Sequence, residues 1–150
     1  MNDEQQLLDA AALTVYRLNG QFLTLGEALA APAGISVAWW QVMAAVEHQP
    51  LPVAGIARAI GITRQSVQRV ADILVGKGLC EYRPNPAHKR AKLVALSEEG
   101  SAAIRRIDPQ HEVLARRLAD ALGTAEFAAT VETLTRLSAV LDTIIAEEHR

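Results

Sequence analysis

A single cysteine, Cys80, is all that this chain of 150 residues carries, so no internal disulfide can brace it. Aromatic residues are scarce at 4%, while alanine and leucine abound, and that balance favours helix over sheet. No run of about 18 apolar residues occurs, so a membrane span is not expected. The opening stretch, MNDEQQLLDA, has acids where a secretory signal has a basic segment before an apolar run. No signal peptide is read, and a cytoplasmic protein is expected. The histidines at 48, 88, 111 and 149 lack helical i, i+4 pairing and Cys-His spacing, so no metal site is expected. VGKGL lacks the upstream glycine and the following Ser or Thr of a phosphate loop. With no nucleophile–base signature and no cofactor motif, an enzyme is not expected. A lone strand cysteine reads as a small packed side chain.

What the chain does have is a large apolar share, 50% of its residues, and an uneven spread of charge. Between Leu51 and Leu96 stand Arg58, Arg64, Arg69, Lys77, Arg83, Lys89, Arg90 and Lys92 against only Asp72 and Glu81. Eight bases against two acids give that segment +6, so the remaining seven bases and fifteen acids give the rest −8. A basic middle between acidic ends suggests one surface meant for a polyanion.

The pattern along the chain predicts a first helix from about Asp3 to Ala31, locally weakened by Gly20 and Gly26. Ser36 caps a second, VAWWQVMAAVEH. Pro50 and Pro52 forbid its continuation and allow a short extended piece. AGIARAI forms a third helix ending at Gly61, and Thr63 caps a fourth that runs to Gly78. LCEYR and RAKLVAL read as strands flanking the turn formers PNPAHK, a hairpin with a long loop. Ser97 caps the next helix, with Glu98 and Glu99 in its first turn and a kink or short break expected near Asp108, before Pro109. Gly123 and Thr124 start the last helix, from about Ala125 to Glu148.

A tight helix pair followed by a hairpin is a winged helix-turn-helix. Gly61 supplies the turn, and Ala57 is small enough for a close crossing. Ile56, Ile60, Ile62, Val67 and Val70 fall where the pair must bury apolar contacts. At about 100° per residue, Val67, Val70, Ala71 and Leu74 form one stripe of the fourth helix. Arg64, Gln65, Gln68, Arg69 and Asp72 form one polar arc that begins at its N-terminus. Arginine can pair with guanine and glutamine with adenine in a major groove, and N-terminal residues of such a helix reach base edges most easily. Arg64, Gln65, Gln68 and Arg69 are therefore the expected base readers. Thr63 and Ser66 can bond phosphates. Asp72, which would repel phosphate, is expected to pair with Arg69 or Arg58. His88, Lys89, Arg90 and Lys92 cluster at the hairpin tip and returning strand, where they can enter a minor groove or lie along phosphates.

These segments resemble the MarR family of bacterial transcription regulators, most densely from Ile35 to Gly100. ISVAWWQVMAAVE is similar to the family's second helix. PLPVAGIARAIGITRQSVQRVADILVGKGLCEYRPNP is similar to its strand, helix-turn-helix and first wing strand. In HKRAKLVALS, Arg90 and Leu96 match the wing motif, and Ser97 stands for its threonine. His88 departs from the motif's aspartate, which helps hold the wing arginine. The resemblance implies a mainly α fold, a single domain over residues 1–150, with a winged helix-turn-helix lobe at 35–97. Residues 1–31 and 98–150 would form a helical dimerisation lobe. It also implies a homodimer on a palindromic operator of double-stranded DNA, and often repression relieved by a small-molecule effector.

The terminal helices speak for dimerisation independently, because their apolar residues cover more than one face. Leu7, Leu8, Val15, Leu118, Val131, Leu141 and Ile145 are the expected interface. Trp39 and Trp40 point about 100° apart on one helix. One is expected in the core, and the other in the cleft where relatives bind ligands. The rival reading is a winged helix that binds another protein and reads no DNA.

Overall fold

The computed structural model describes every residue from Met1 to Arg150. Its contacts divide the chain into two units, Met1–Asp108 and Pro109–Arg150.

In the first unit, α1 (Asp3–Ala30) opens with a reciprocal cap. Asn2 Oδ1 accepts from the Gln5 amide at 2.8 Å, and the Asn2 amide donates to Gln5 Oε1 at 2.9 Å. The helix runs unbroken through Gly20 and Gly26. A side chain at position 26 would meet Val37 at 2.6 Å, so packing against the next helix accounts for that glycine. After a single 3₁₀ turn (Ala31–Ala33), Ser36 caps α2 (Val37–Ala45) by accepting from the Trp39 amide at 3.1 Å. This helix ends before the predicted His48, leaving room for the turn that leads into Pro50.

The two prolines frame β1 (Leu51–Pro52), which passes directly into α3 (Val53–Ile60). Gly61 then adopts φ +71°, a left-handed conformation that side chains disfavour, and its amide donates to the Ala57 carbonyl at 2.9 Å. Thr63 caps α4 (Arg64–Gly76), its Oγ1 accepting from the Ser66 amide at 3.1 Å. Next come β2 (Cys80–Arg83) and β3 (Leu93–Leu96). The sheet has three strands in the antiparallel order β1-β3-β2, so the short segment before α3 joins the hairpin. Pro52 is tolerated because β1 is an edge strand.

The core of this unit centres on Val42, Met43, Ile56, Val67, Leu74, Val94 and Ile107, all fully buried. Ile60 and Val70 pack at its margin, but Ile62 is 39% exposed, a correction to its expected burial. It follows the left-handed Gly61, where the chain turns away from the helix contact. Cys80 is buried, and desolvation, helped by the neighbouring Glu81 charge, pushes its thiol up to about 11. That keeps it protonated at neutral pH and unreactive as a thiolate. Trp39 and Trp40 are both only partly buried against the core, so neither is the fully interior residue expected.

Ser97 begins α5 (Glu98–Leu122) with two bonds. Its Oγ accepts from the Gly100 amide at 3.0 Å and donates to the Gly78 carbonyl at 2.5 Å. The expected break before Pro109 does not occur. Pro109 and Arg105, whose carbonyl loses its helical partner, are both exposed, so water can satisfy that carbonyl. In the second unit, α6 (Thr124–Glu148) has no buried residue. No single helix is long and apolar enough to cross a membrane.

Gly100 is a requirement the sequence pattern did not single out. A Cβ there would lie 2.0 Å from the Leu79 carbonyl oxygen, a backbone atom that cannot swing aside. Gly100→Ala is therefore expected to destabilise the protein by about 1–3 kcal/mol, through forced separation of α5 from the β2 entrance. Urea unfolding would check this; an unchanged midpoint would contradict the close approach.

Candidate nucleic-acid interface

The face of α4 turned away from the core carries Arg64, Gln65, Gln68, Arg69 and Asp72, all exposed. The opposite stripe, Val67, Ala71 and Leu74, is fully buried. The helix thus separates its side chains into a dry row and a wet row, as the periodicity predicts. At the N-terminus, Thr63 Oγ1 also donates to Ser66 Oγ at 2.9 Å, so these hydroxyls are first of all the helix cap. The free amides of the first turn and its partial positive charge leave this end suited to an anion.

The hairpin loop, Pro84 to Lys92, is shaped by its own polar groups. Asn85 Oδ1 accepts from the Ala87 amide at 3.1 Å, and the Asn85 carbonyl accepts from the His88 amide at 3.1 Å. A further turn closes from the Ala91 amide to the His88 carbonyl at 3.3 Å. These turns hold His88, Lys89, Arg90 and Lys92 exposed.

Helix and hairpin meet across one groove of about 630 Å³. Arg64, Gln65, Gln68 and Asp72 line one side; Tyr82, Arg90, Ala91 and Lys92 line the other, and Pro52, Val53 and Ala54 complete it. The structure thus brings Arg64, Gln65 and Gln68 of the helix and Arg90 and Lys92 of the wing to a common concavity. Arg69 and Lys89 lie outside its lining, with Lys89 beside Arg83 and Lys92 in a neighbouring hollow of about 430 Å³. Arg83 is held by Glu81 through its Nη2 at 2.6 Å, which removes one cation from the free positive charge of this surface.

Tyr82 is the residue that sequence reasoning missed. Strand alternation turns Cys80 and Tyr82 to one face and Glu81 and Arg83 to the other. The Tyr82 hydroxyl donates to Asp72 Oδ1, and Gln68 Nε2 donates to both Asp72 Oδ1 and Tyr82 Oη, at 3.0 Å each. The expected pairing of Asp72 with Arg69 or Arg58 is therefore corrected: its partners are Gln68 and Tyr82. The reason is reach, since β2 packs on α4 and delivers a hydroxyl to the carboxylate. Lys92 Nζ lies 5.7 Å from the Tyr82 ring centroid, tying the returning strand to the same residue. Lys77 makes a similar contact with Trp39, also at 5.7 Å. Burial, reinforced by the bond to Asp72 and its charge, raises the Tyr82 phenol to about 12.

Comparison with known proteins places this geometry. The MarR family's sequence profile matches residues 33–91. Uncharacterized proteins of Mycobacterium tuberculosis and Mycobacterium bovis are 40% identical over 141 residues, covering 94% of this chain and 96% of theirs. A MarR/EmrR family transcriptional regulator from Acinetobacter sp. ADP1 superposes with a TM-score of 0.79 at 18% identity, over 95% of this chain and 99% of that one. A MarR mutant from E. coli, complexed with operator DNA, has a TM-score of 0.73 at 22% identity, covering 91% and 99%.

The tyrosine network can be tested without DNA. With its folded pKa raised above the ordinary 10, Tyr82 contributes stability that is intact below pH 10 and lost as pH rises through about 12. In a Tyr16→Phe background, phenolate absorbance should show Tyr82 ionising near that upper value. Asp72→Asn should bring the transition down; no movement would mean that Asp72 does not touch the phenol in solution.

Proposed function

We propose that this chain, whose residues 33–91 match the MarR family's sequence profile, is a sequence-specific DNA-binding repressor of that family that acts as a homodimer on a palindromic operator. The observation that carries this reading is the shared groove, in which the exposed row of α4 and the basic wing face one concavity. A helix of this width enters the major groove of double-stranded DNA. There Arg64, Gln65, Gln68 and Arg69 meet base edges. Thr63 and Ser66 at the helix start lie against phosphates, and Lys89, Arg90 and Lys92 engage the adjoining minor groove or backbone.

Dimerisation is supported by apolar surface that water should not keep. Leu7 and Leu8 on α1 are 70% and 63% exposed, and Val131, Leu141 and Ile145 on α6 are 51%, 42% and 54% exposed. Val15 on α1 is 40% exposed, and Leu118 on α5 is half-buried. Such an accumulation is typical of a buried interface rather than of a free surface. In this reading residues 35–97 are the DNA-reading lobe, and residues 1–31 and 98–150 join two copies. A dimer then presents its two reading helices about 34–36 Å apart, one turn of DNA. A small-molecule effector bound beside Trp39 and Trp40 would release the operator by favouring a different spacing of the reading heads. The protein works in the cytoplasm and has no catalytic role.

Binding of the full-length protein to a selected operator should weaken steeply between about 50 and 200 mM salt, by roughly a thousandfold if some six phosphates are contacted. A protein–protein module would show no such dependence on duplex DNA. Arg64→Ala should cost roughly 1–3 kcal/mol at one base position and relax preference there, while Lys92→Ala should weaken all sequences alike. Measured affinities on single-base operator variants separate the two effects, and equal behaviour of both variants would overturn the assigned division of labour.

A further inference from the structure

Gln68 and Asp72 stand one helical turn apart on the outward face of α4, and Tyr82 reaches both from β2. Gln68 Nε2 lies 3.0 Å from Asp72 Oδ1 and 3.0 Å from Tyr82 Oη, while the tyrosine hydroxyl gives its own hydrogen to the same carboxylate. Gln68 Oε1 accepts no hydrogen bond from the chain, and the residue lines the groove between helix and wing.

An ionised carboxylate can only accept hydrogen bonds, whereas an amide has one donating and one accepting end. Turning the Gln68 amide over would set Oε1 against Asp72 Oδ1, two acceptors with no hydrogen between them. Asp72 therefore admits one amide orientation and excludes the other. The tyrosine hydroxyl completes the selection, because its hydrogen is committed to Asp72 and it faces Gln68 as an acceptor.

Resting on the DNA-reading role proposed above, we infer that Asp72 is a positioning residue, held by Tyr82, that locks the Gln68 amide with its oxygen free and so sets its base preference. In the major groove, adenine and cytosine offer an exocyclic amino group to an accepting oxygen, whereas guanine and thymine offer oxygens that need a donor. A locked Gln68 selects an amino-bearing base, adenine or cytosine. A glutamine free to turn its amide accepts either class. The acid that looked out of place on a DNA-facing helix thus acts by negative selection on its neighbour, at the cost of some repulsion from phosphates.

The nearly isosteric Asp72→Asn removes the constraint, because asparagine can present either a donor or an acceptor to Gln68. Full-length wild type, Asp72→Asn and Gln68→Ala are each used to select bound sites from random duplex DNA. Affinities are then measured on the four operator variants at the position where Gln68→Ala loses preference. Wild type should favour adenine or cytosine there by roughly tenfold over guanine or thymine. Asp72→Asn should shrink that ratio to about two- or threefold. A wild-type ratio retained in Asp72→Asn would overturn the positioning role, as would a uniform loss of affinity with the ratio intact, which marks a merely structural residue. Unchanged preferences in Gln68→Ala would remove Gln68 as a reader while leaving DNA recognition standing. Recovery of no preferred site by wild type would defeat the DNA-reading role itself, and this inference with it.

Discussion

Val67, Ala71 and Leu74 lose all contact with water on one side of α4, and that burial governs what the other side can offer. Each fully buried Val or Leu side chain is worth about 1.5–3 kcal/mol relative to exposure. Rotating the helix by even one residue would forfeit much of that and press polar groups into a core that holds no buried polar residue. The helix is thus fixed in rotation, and Arg64, Gln65 and Arg69 are displayed without any side-chain contact holding them out, while Gln68 is held by Asp72 and Tyr82. The left-handed Gly61 and the Thr63 cap fix where the helix starts, so the first of the proposed readers fall in its first turn.

The second constraint joins the helix to the sheet. Glu81 and Arg83 occupy each other on one face of β2, while Tyr82 on the other face bonds to the α4 residues Asp72 and Gln68. Lys92 over the Tyr82 ring draws the returning strand into the same arrangement. Tyr82 thereby links α4 to the base of the wing through Asp72, Gln68 and Lys92. The proposed function needs that coupling, because a groove shared by two elements can match a duplex only if their separation is held.

A third feature belongs to the terminal helices. Large side chains such as Leu7, Tyr16, Val140 and Ile145 stand 70%, 71%, 56% and 54% exposed in the single chain. By contrast, the winged region leaves only Ile62 and Ile73, each at 39%, among its exposed large apolar residues. The basic, well-packed part and the acidic, apolar-surfaced part answer different physical demands, and the proposed assignment of DNA to one and self-association to the other follows that division.

The helix order, the caps at Ser36, Thr63 and Ser97, the turn at Gly61 and the polar row of α4 were all legible in the amino-acid sequence. Each depends on interactions within a few residues, where periodicity and capping chemistry act directly. Other features were decided only when separate elements met. Pro109 remains inside α5 because it fell on a wet face, and Ile62 is exposed because of the path the chain takes after Gly61. β1 became a third strand by pairing Leu51 with Val94, a partner far along the chain. Asp72 found Tyr82 rather than an arginine, and Gly100 came to lie close against the Leu79 carbonyl. Sequence spacing determines which side chains share a face of one helix or strand; which atoms meet across two elements is set by how their buried faces pack, and that is known only in three dimensions.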